Sequence, residues 1–190
     1  MKVGVLALQG AFAEHMKVLA ALDIDVVPIR LPSDLAGVRA LVIPGGESTT
    51  ISRLLLGYHL MKPIRNFIKQ GLPVLGTCAG MVLLAEKVVG ATVEPLGVMN
   101  IEIKRNAYGR QTESFETDLS IPALGEGTFR GIFIRAPIVQ KVESNVEILC
   151  QMSSHTVAVK QGNMLACAFH PELTNDMRFH KYFLSMIKEM

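Results

Sequence analysis

The sequence predicts an α/β fold with a mainly parallel central sheet flanked by helices, and an antiparallel strand excursion in its C-terminal half. In the first half, short and nearly continuous apolar runs alternate with helical patterns, which is typical of buried strands joined by helical crossovers. From about residue 97, apolar and polar residues alternate at short spacing, as in antiparallel strands. The 190 residues, 49% of them hydrophobic, suffice for one buried core. We expect a single domain over residues 1–190.

The first half of the sequence predicts strands that are mostly separated by helices. Each helical pattern repeats apolar residues every three or four positions, whereas the strand patterns are short apolar runs. In order, the predicted elements are strand "KVGVLAL", helix "AFAEHMKVLAAL", strand "DVVPI", strand "ALVIP", helix "STTISRLLLGY", a helix from Pro63 to Gln70, strand "PVLG" and helix "AGMVLLAEKV".

The second half predicts strands joined by short turns, and then one helix. Gly162 and Asn163 are typical turn residues between two of these strands. The last segment repeats apolar residues at helical spacing after a cap at Asn175 or Asp176. The predicted strands are "MNIEIKR", "ESFETDLS", "FRGIFI", "VEILCQ", "TVAVKQ" and "MLACAF", and the helix lies within "NDMRFHKYFLSMIKEM".

The charge pattern argues against two classes of partner. Nineteen basic and seventeen acidic residues give a net charge of +2, and they are scattered without a Lys/Arg cluster, so we expect neither nucleic acid nor a membrane surface as partner. The apolar run "MVLLA" at residues 81–85 is far shorter than the ~20 residues that cross a bilayer. The N-terminal residues predict a strand rather than a signal peptide. Three cysteines, none in a C-x-x-C pair, favour a reducing, cytoplasmic compartment.

A cysteine stands between two glycines in "VLGTCAGMVLL", residues 74–84. The pattern G-x-C-x-G falls where the strand "PVLG" must turn into the next helix, and the glycines permit a tight turn. Such an elbow exposes the Cys78 side chain at the carboxyl edge of the sheet, where the helix N-terminus favours a thiolate. The N–H of Ala79 is then placed to donate to an oxyanion. We interpret Cys78 as a nucleophile, whereas Cys150 and Cys167, in apolar strand patterns, predict structural packing.

One histidine is placed to act as the base. His170 follows the strand "MLACAF" directly and stands two residues before Glu172, at a strand end where parallel sheets present catalytic groups. In H-x-E, the carboxylate can hold one imidazole nitrogen while the other faces the thiol. A solvated or capping role is the simpler interpretation of the remaining histidines, which are His15, His59, His155 and His180.

The glycine-rich stretch "VIPGGEST", residues 42–49, predicts a loop between a strand and a helix. Two adjacent glycines let backbone N–H groups approach a ligand, which would supply a second oxyanion donor. Ser48 or Thr49 can cap the following helix. A plain glycine turn with an N-cap explains the same residues, whereas a phosphate cradle is disfavoured because no Lys-Ser/Thr follows at P-loop spacing.

Taken together, these motifs resemble the class I, triad-type glutamine amidotransferases, and specifically the family of glutaminase subunits of pyridoxal 5'-phosphate synthase. The resemblance runs almost end to end and implies a flavodoxin-like sheet. The motifs that carry it, in family order and spacing, are "GVLALQGAFAEH", "PGGEST", "GTCAGM", "RNAYGRQ", "SFE", "IRAP" and "HPELT".

The resemblance implies a role for each matched residue. Cys78 would be the nucleophile, His170 the general base and acid, and Glu172 the carboxylate that orients the imidazole. Gly46 and Ala79 would supply the N–H groups of the oxyanion hole. The positions that the family uses to hold glutamine, or that lie near the oxyanion site, are Gln9, Gly46, Glu47, Ser48, Arg105, Ile134 and Arg135.

The arginines of "KRNAYGR" fit an α-carboxylate, because a guanidinium binds that planar group through two parallel hydrogen bonds. A surface salt bridge would explain the same residues. The sequence does not separate Arg105 from Arg110 in this role.

By the same resemblance, the chain hydrolyses L-glutamine to L-glutamate and ammonia through a cysteine thioester. The ammonia would pass to a synthase subunit that makes pyridoxal 5'-phosphate, and the hydrolysis needs no metal or organic cofactor. A stand-alone γ-glutamyl hydrolase would use the same three residues, but such enzymes are usually secreted, and we expect no signal peptide here. A non-catalytic module that binds glutamine or a partner is a second alternative, which the filled Cys, His and Glu positions disfavour.

Overall fold

The computed structural model describes residues 1–90, 92–105 and 114–187. Its strands are β1 (Lys2–Leu6), β2 (Asp25–Ile29), β3 (Ala40–Ile43), β4 (Val74–Thr77), β5 (Ala85–Val89), β6 (Met99–Lys104), β7 (Ser114–Leu119), β8 (Phe129–Ile134), β9 (Ile138–Val142), β10 (Glu147–Met152), β11 (His155–Gln161) and β12 (Met164–Cys167). Its helices are α1 (Phe12–Ala20), α2 (Ser48–Gly57), α3 (Met61–Lys69), α4 (Ala79–Leu84) and α5 (Arg178–Ser185).

Ten strands form one sheet in the order β2-β1-β3-β4-β12-β11-β9-β6-β5, with β10 paired to β11. The first five strands of this order are parallel, and β3, β4 and β12 are buried along their whole length. A strand buried on both faces must be apolar throughout, which is the pattern that the sequence shows. The mainly parallel sheet predicted from the sequence is therefore confirmed.

The placement of β12 beside β4 brings distant parts of the chain together. The last strand pairs in parallel with β4, so that Cys167 lies opposite Thr77. The residues that follow the two strands therefore emerge side by side at the carboxyl edge of the sheet. Parallel sheets bind ligands at this edge.

The C-terminal half contains the predicted antiparallel excursion. Strands β6, β9, β11 and β12 pair antiparallel with their neighbours in that order, and β7 and β8 form a separate two-stranded sheet. Phe115 and Phe133 face each other across this hairpin with stacked rings 4.7 Å apart, and Phe133 is fully buried. The hairpin is thus fixed to the core through its apolar face.

The structure corrects one predicted element and adds a strand that was not predicted. The helix predicted over "AGMVLLAEKV" ends at Leu84, because Ala85 adopts extended dihedrals (φ −56°, ψ 146°) and starts β5, which pairs in parallel with β6. Val88 and Val89 favour an extended chain, and pairing with β6 outweighs the helical pattern. Strand β9 was not predicted. Among the residues that the structure describes, no helix has the length and apolarity that crossing a membrane requires.

Candidate active site

Loops after β1, β3, β4 and β12 converge on a cavity of about 220 Å³ at the carboxyl edge of the sheet. Glu172 lies behind the cavity, in contact with His170. Val82 and Pro137 also line the cavity. The other lining residues are all predicted site residues: Gln9, Gly46, Glu47, Ser48, Cys78, Ala79, Arg105, Ile134, Arg135 and His170.

Cys78 occupies a strained turn between β4 and α4. Its backbone has φ 47° and ψ −102°, which is a conformation that non-glycine residues rarely adopt. The Cys78 N–H donates to the carbonyl oxygen of Cys167 at 2.8 Å, and Gly80 leaves room for α4 because a Cβ there would collide with the carbonyl oxygen of Ile43. The thiol is less exposed than the elbow pattern predicts, since Cys78 is 8% exposed on the cavity floor.

The imidazole of His170 links Cys78 to Glu172. His170 Nδ1 lies 2.7 Å from Glu172 Oε1, which leaves Nε2 available on the side of Cys78, the other group that raises the pKa of His170. Both Glu172 and His170 are buried, so bulk water does not compete for these contacts. Gly45 lies against the same ring, because a Cβ at Gly45 would be 2.5 Å from His170 Cε1.

The electrostatics of this set favour a charged histidine beside an ionised carboxylate. Burial would lower the pKa of His170, but its hydrogen bonds and charge interactions with Cys78 and Glu172 outweigh burial and raise it from 6.5 to about 10. Burial would raise the pKa of Glu172, but its interactions with His15 and His170 hold it far below its usual range. Glu172 is therefore an ionised acceptor at neutral pH, and His170 is an imidazolium.

The glycine loop after β3 is anchored on both sides. The Ala11 N–H donates to the Gly45 carbonyl oxygen at 3.0 Å, the Glu47 N–H donates to Gln9 Oε1 at 2.8 Å, and the Gly45 N–H donates to Thr77 Oγ1 at 3.1 Å. The turn after β1 and the end of β4 thus hold the segment in which Gly46 faces the cavity.

Glu47 caps α2, in place of the Ser48 or Thr49 cap that the sequence predicts. Its carboxylate accepts hydrogen bonds from the N–H groups of Thr49 and Thr50 at 3.1 and 2.7 Å. Burial would raise the pKa of Glu47, but these bonds, with one from the Thr50 hydroxyl, lower it to about 2. Arg105 donates to Glu47 Oε1 at 2.9 Å, so the cavity wall carries an anion and a cation side by side.

The opposite wall follows β8. Cys78 Sγ lies 3.8 Å from the carbonyl oxygen of Ile134, and Arg135, the next residue, has a positive φ of 45°. The sequence left Arg105 and Arg110 as alternatives for the substrate carboxylate. The structure places Arg105 in the cavity wall, whereas Arg110 lies outside the described residues.

Two histidine predictions are wrong. His15 and His180 are fully buried and contact each other, with His15 Nδ1 and His180 Nε2 3.0 Å apart. His15 Nε2 lies 3.2 Å from Glu172 Oε2, so His15 belongs to the surroundings of the predicted site. The available signal was its position on the apolar face of α1, three residues after Phe12 and four before Leu19.

The other cysteines are in structural positions, as predicted. Cys150 and Cys167 are buried on β10 and β12. Burial raises the pKa of Cys150 to about 11 and that of Cys167 well above its usual range, so neither forms a thiolate readily. In the described part of the chain, no group of three or more His, Cys, Asp or Glu side chains is arranged to hold a metal ion.

Comparisons with known proteins agree over nearly the whole chain. The model of the SNO glutamine amidotransferase family matches residues 5–189. Pyridoxal 5'-phosphate synthase subunit PdxT of Moorella thermoacetica is 53% identical over 98% of this chain and 100% of its own, and that of Pelotomaculum thermopropionicum is 56% identical over 97% and 94%. A crystal structure described as a glutamine amidotransferase superposes with a TM-score of 0.92 at 45% identity, covering 97% of this chain and 98% of its own.

Proposed function

Since the chain belongs to the SNO glutamine amidotransferase family, we propose that it is the glutaminase subunit of a pyridoxal 5'-phosphate synthase. It hydrolyses L-glutamine to L-glutamate and ammonia, and a synthase subunit consumes the ammonia. The observation that carries the proposal is the row Cys78, His170 and Glu172, with Cys78 on the cavity floor and Glu172 2.7 Å behind His170. Relatives named as subunits of this synthase, more than 50% identical, support the partner.

The reaction starts from a thiolate and an imidazolium. Cys78 Sγ attacks the carboxamide carbon of glutamine, and the negative charge moves to the carboxamide oxygen. N–H groups of Gly46 and Ala79 stabilise this oxyanion in a water-poor cavity. The tetrahedral intermediate collapses, the C–N bond breaks, and the leaving nitrogen takes the His170 proton to depart as ammonia.

A thioester between Cys78 and the γ-carbonyl remains, with His170 now neutral. His170 removes a proton from water, which attacks the thioester carbon. The second tetrahedral intermediate expels the Cys78 thiolate and releases the γ-carboxyl group. Glu172 stays ionised throughout, and it keeps the proton of His170 Nδ1 in place so that Nε2 performs both transfers.

The other end of the cavity fits the charges of an amino acid. A free α-amino acid carries an ammonium and a carboxylate on one carbon, and the wall offers a carboxylate at Glu47 beside a guanidinium at Arg105, 2.9 Å apart. Arg105 is the residue that we propose for the α-carboxylate. Gln9, Ser48, Ile134 and Arg135 complete the binding surface.

The test is glutamate release from L-glutamine by the chain mixed with a synthase subunit, compared with the same mixture carrying Cys78→Ala. We expect turnover in the first mixture and none in the second. Equal glutamate release in both would contradict the proposed chemistry. A stand-alone γ-glutamyl hydrolase would instead cleave a γ-linked glutamyl peptide without the synthase subunit, so this substrate is included in parallel.

A further inference from the structure

A row of buried polar side chains continues from Glu172 away from the cavity. Glu172 Oε1 faces His170, while Oε2 lies 3.2 Å from His15 Nε2 on α1. His15 Nδ1 lies 3.0 Å from His180 Nε2 on α5. His15, His180 and the Glu172 side chain are 0% exposed, and neither histidine lines the cavity. They can therefore affect a reaction only through the residues that they contact, and Glu172 is the one that touches His170.

The carboxylate end of the row fixes the protons of the two rings that it contacts. Because the pKa of Glu172 lies far below its usual range, both oxygens are acceptors at neutral pH. The nitrogen that faces each oxygen must then carry hydrogen. His170 is protonated on Nδ1, and His15 is protonated on Nε2.

The His180 end of the row independently indicates that His15 Nδ1 accepts a hydrogen bond and that the His15 proton is on Nε2. Burial and the neighbouring His15 lower the pKa of His180 to about 3, so this ring is neutral and has one N–H. Its Nδ1 is buried without a hydrogen-bond partner among the described residues, and a buried unpaired N–H is costly. The proton therefore sits on His180 Nε2 and is donated to His15 Nδ1.

His15 also contacts the residue of β4 that holds the glycine loop. Its Nε2 lies 3.1 Å from Thr77 Oγ1, the oxygen that accepts the Gly45 N–H. The single Nε2–H is therefore shared between Thr77 and the carboxylate, and it is aligned better with Thr77, since Glu172 Oε2 has no well-aligned hydrogen bond among the described residues.

We propose that His15 is a positioning residue, whose Nε2–H holds the Glu172 carboxylate from the side opposite His170. His180 keeps the His15 ring in the tautomer that can donate. The inference rests on the proposed function, because it concerns the orientation of the general base in that reaction. Without His15, the carboxylate can rotate and the imidazole loses the direction in which it faces Cys78.

Three substitutions at one position separate this role from simple packing. His15→Leu removes the donor. His15→Gln restores an N–H2 group at about the distance of Nε2 from the backbone, whereas His15→Asn restores one only at about the distance of Nδ1. In the complex with the synthase subunit, we expect His15→Leu to lower kcat for glutamine about 10- to 100-fold, because a donor that faces a charged carboxylate is lost. KM should change little. His15→Gln should recover most of the rate, and His15→Asn should not.

Thermal unfolding of each variant and a Cys78→Ala complex are the controls. A folded His15→Leu variant with the parent kcat, or Gln and Asn variants that are equally slow, would overturn the inference while an inactive Cys78→Ala complex upheld the proposed function. An active Cys78→Ala complex would overturn the proposed function itself.

A measurement on the unmutated chain tests the inference even if no variant folds. Two-bond ¹H–¹⁵N correlation spectra distinguish a protonated from a bare ring nitrogen. We expect His15 and His180 each to be protonated on Nε2, with His180 Nδ1 bare. A bare His15 Nε2 facing the Glu172 carboxylate would exclude the proposed contact.

Discussion

The N–H of Cys78 donates to the carbonyl oxygen of Cys167 at 2.8 Å, so that one hydrogen bond joins a cysteine on the cavity floor to a cysteine in the core. Cys167 ends a fully buried strand, and burial raises the pKa of its thiol. Cys78 stands one residue beyond the neighbouring strand, opposite an imidazole. Two thiols at nearly the same level of the sheet should therefore differ sharply in reactivity.

A γ-electrophilic glutamine analogue should label Cys78 alone. The cavity admits the analogue to Cys78, whereas Cys150 and Cys167 are 3% and 0% exposed and have raised pKa values. Peptide mass spectrometry after brief exposure should find the added mass on the peptide that contains residue 78. Excess L-glutamine should slow the labelling as the control, and labelling spread evenly over the three cysteine peptides would contradict the prediction.

Cys78→Gly should be more stable than Cys78→Ala, although both should be inactive. Residue 78 has φ 47° and ψ −102°, where a Cβ is strained and glycine is not. We expect a difference of about 1 kcal/mol in the free energy of unfolding, reduced from the full strain by the greater freedom of glycine in the unfolded chain. Urea unfolding of the two variants measures it. A less stable glycine variant would show that the elbow is not strained.

His170→Asn should lose nearly all activity, because it removes the group that we propose for proton transfer, while Glu172→Gln should lose less or at most as much. The glutamine would, however, turn an N–H2 group toward either His170 Nδ1–H or His15 Nε2–H. Because two hydrogen-bond donors then face each other, the fold should be destabilised by about 1 to 3 kcal/mol. Steady-state glutamate release and thermal unfolding measure the two effects. Parent rates for both variants would rule out the assigned roles.

Much of this arrangement could be predicted from local sequence. A buried parallel strand must be apolar, and a cysteine between glycines at a strand-to-helix junction has few other uses, so β4, the elbow and Cys78 follow from residues 73–80 alone. The pairing of β12 with β4 does not follow from local pattern, since it joins segments about 90 residues apart. The resemblance implies only that His170 and Glu172, which follow β12, act together with Cys78.

The missed features depend on tertiary contacts. His15 and His180 look like ordinary helical polar residues until α1 and α5 pack against the segment after β12, and burial then changes their chemistry. The cap of α2 was assigned to Ser48 or Thr49 because these residue types are preferred caps. Glu47 takes that role instead, and Arg105, 58 positions later, donates to the same carboxylate.

The parent protein should lose stability in acid through His180. Burial and His15 lower the folded-state pKa to about 3 from the ordinary 6.5. Below pH 6.5, His180 therefore binds a proton in the unfolded chain but not in the folded chain. The free energy of unfolding falls as the pH drops from 6.5 toward 3. Between about pH 7 and pH 5, the parent should lose roughly 1 to 2 kcal/mol more than His180→Phe. Urea unfolding at both pH values tests this, and parallel losses would contradict it.

The isolated chain should be a poor glutaminase that becomes competent when the synthase subunit docks. Ammonia released into water is protonated and lost as a nucleophile, so uncoupled hydrolysis would waste glutamine. The glycine loop is the element that can couple the two events, because Gln9 holds the Glu47 N–H at 2.8 Å and Ala11 holds the Gly45 carbonyl at 3.0 Å. A partner that moves the turn after β1 would therefore turn the Gly46 N–H toward or away from the oxyanion.

Gln9→Leu removes one of these two hydrogen bonds. We define the activation as the ratio of the rates with and without the partner, and Gln9→Leu should lower this ratio by about tenfold, which is a typical coupling between two sites. Gln9→Glu keeps an acceptor oxygen of the same reach and is the matched control for the bond to Glu47. Steady-state glutamate release with and without the synthase subunit gives the ratio, and sedimentation of each mixture shows whether the variants still bind. If Gln9→Leu binds and is activated like the parent, the loop is not coupled through Gln9. If the unmutated chain alone hydrolyses glutamine at the full rate and does not co-sediment, both the coupling and the partnership are wrong, and the stand-alone hydrolase becomes the better account.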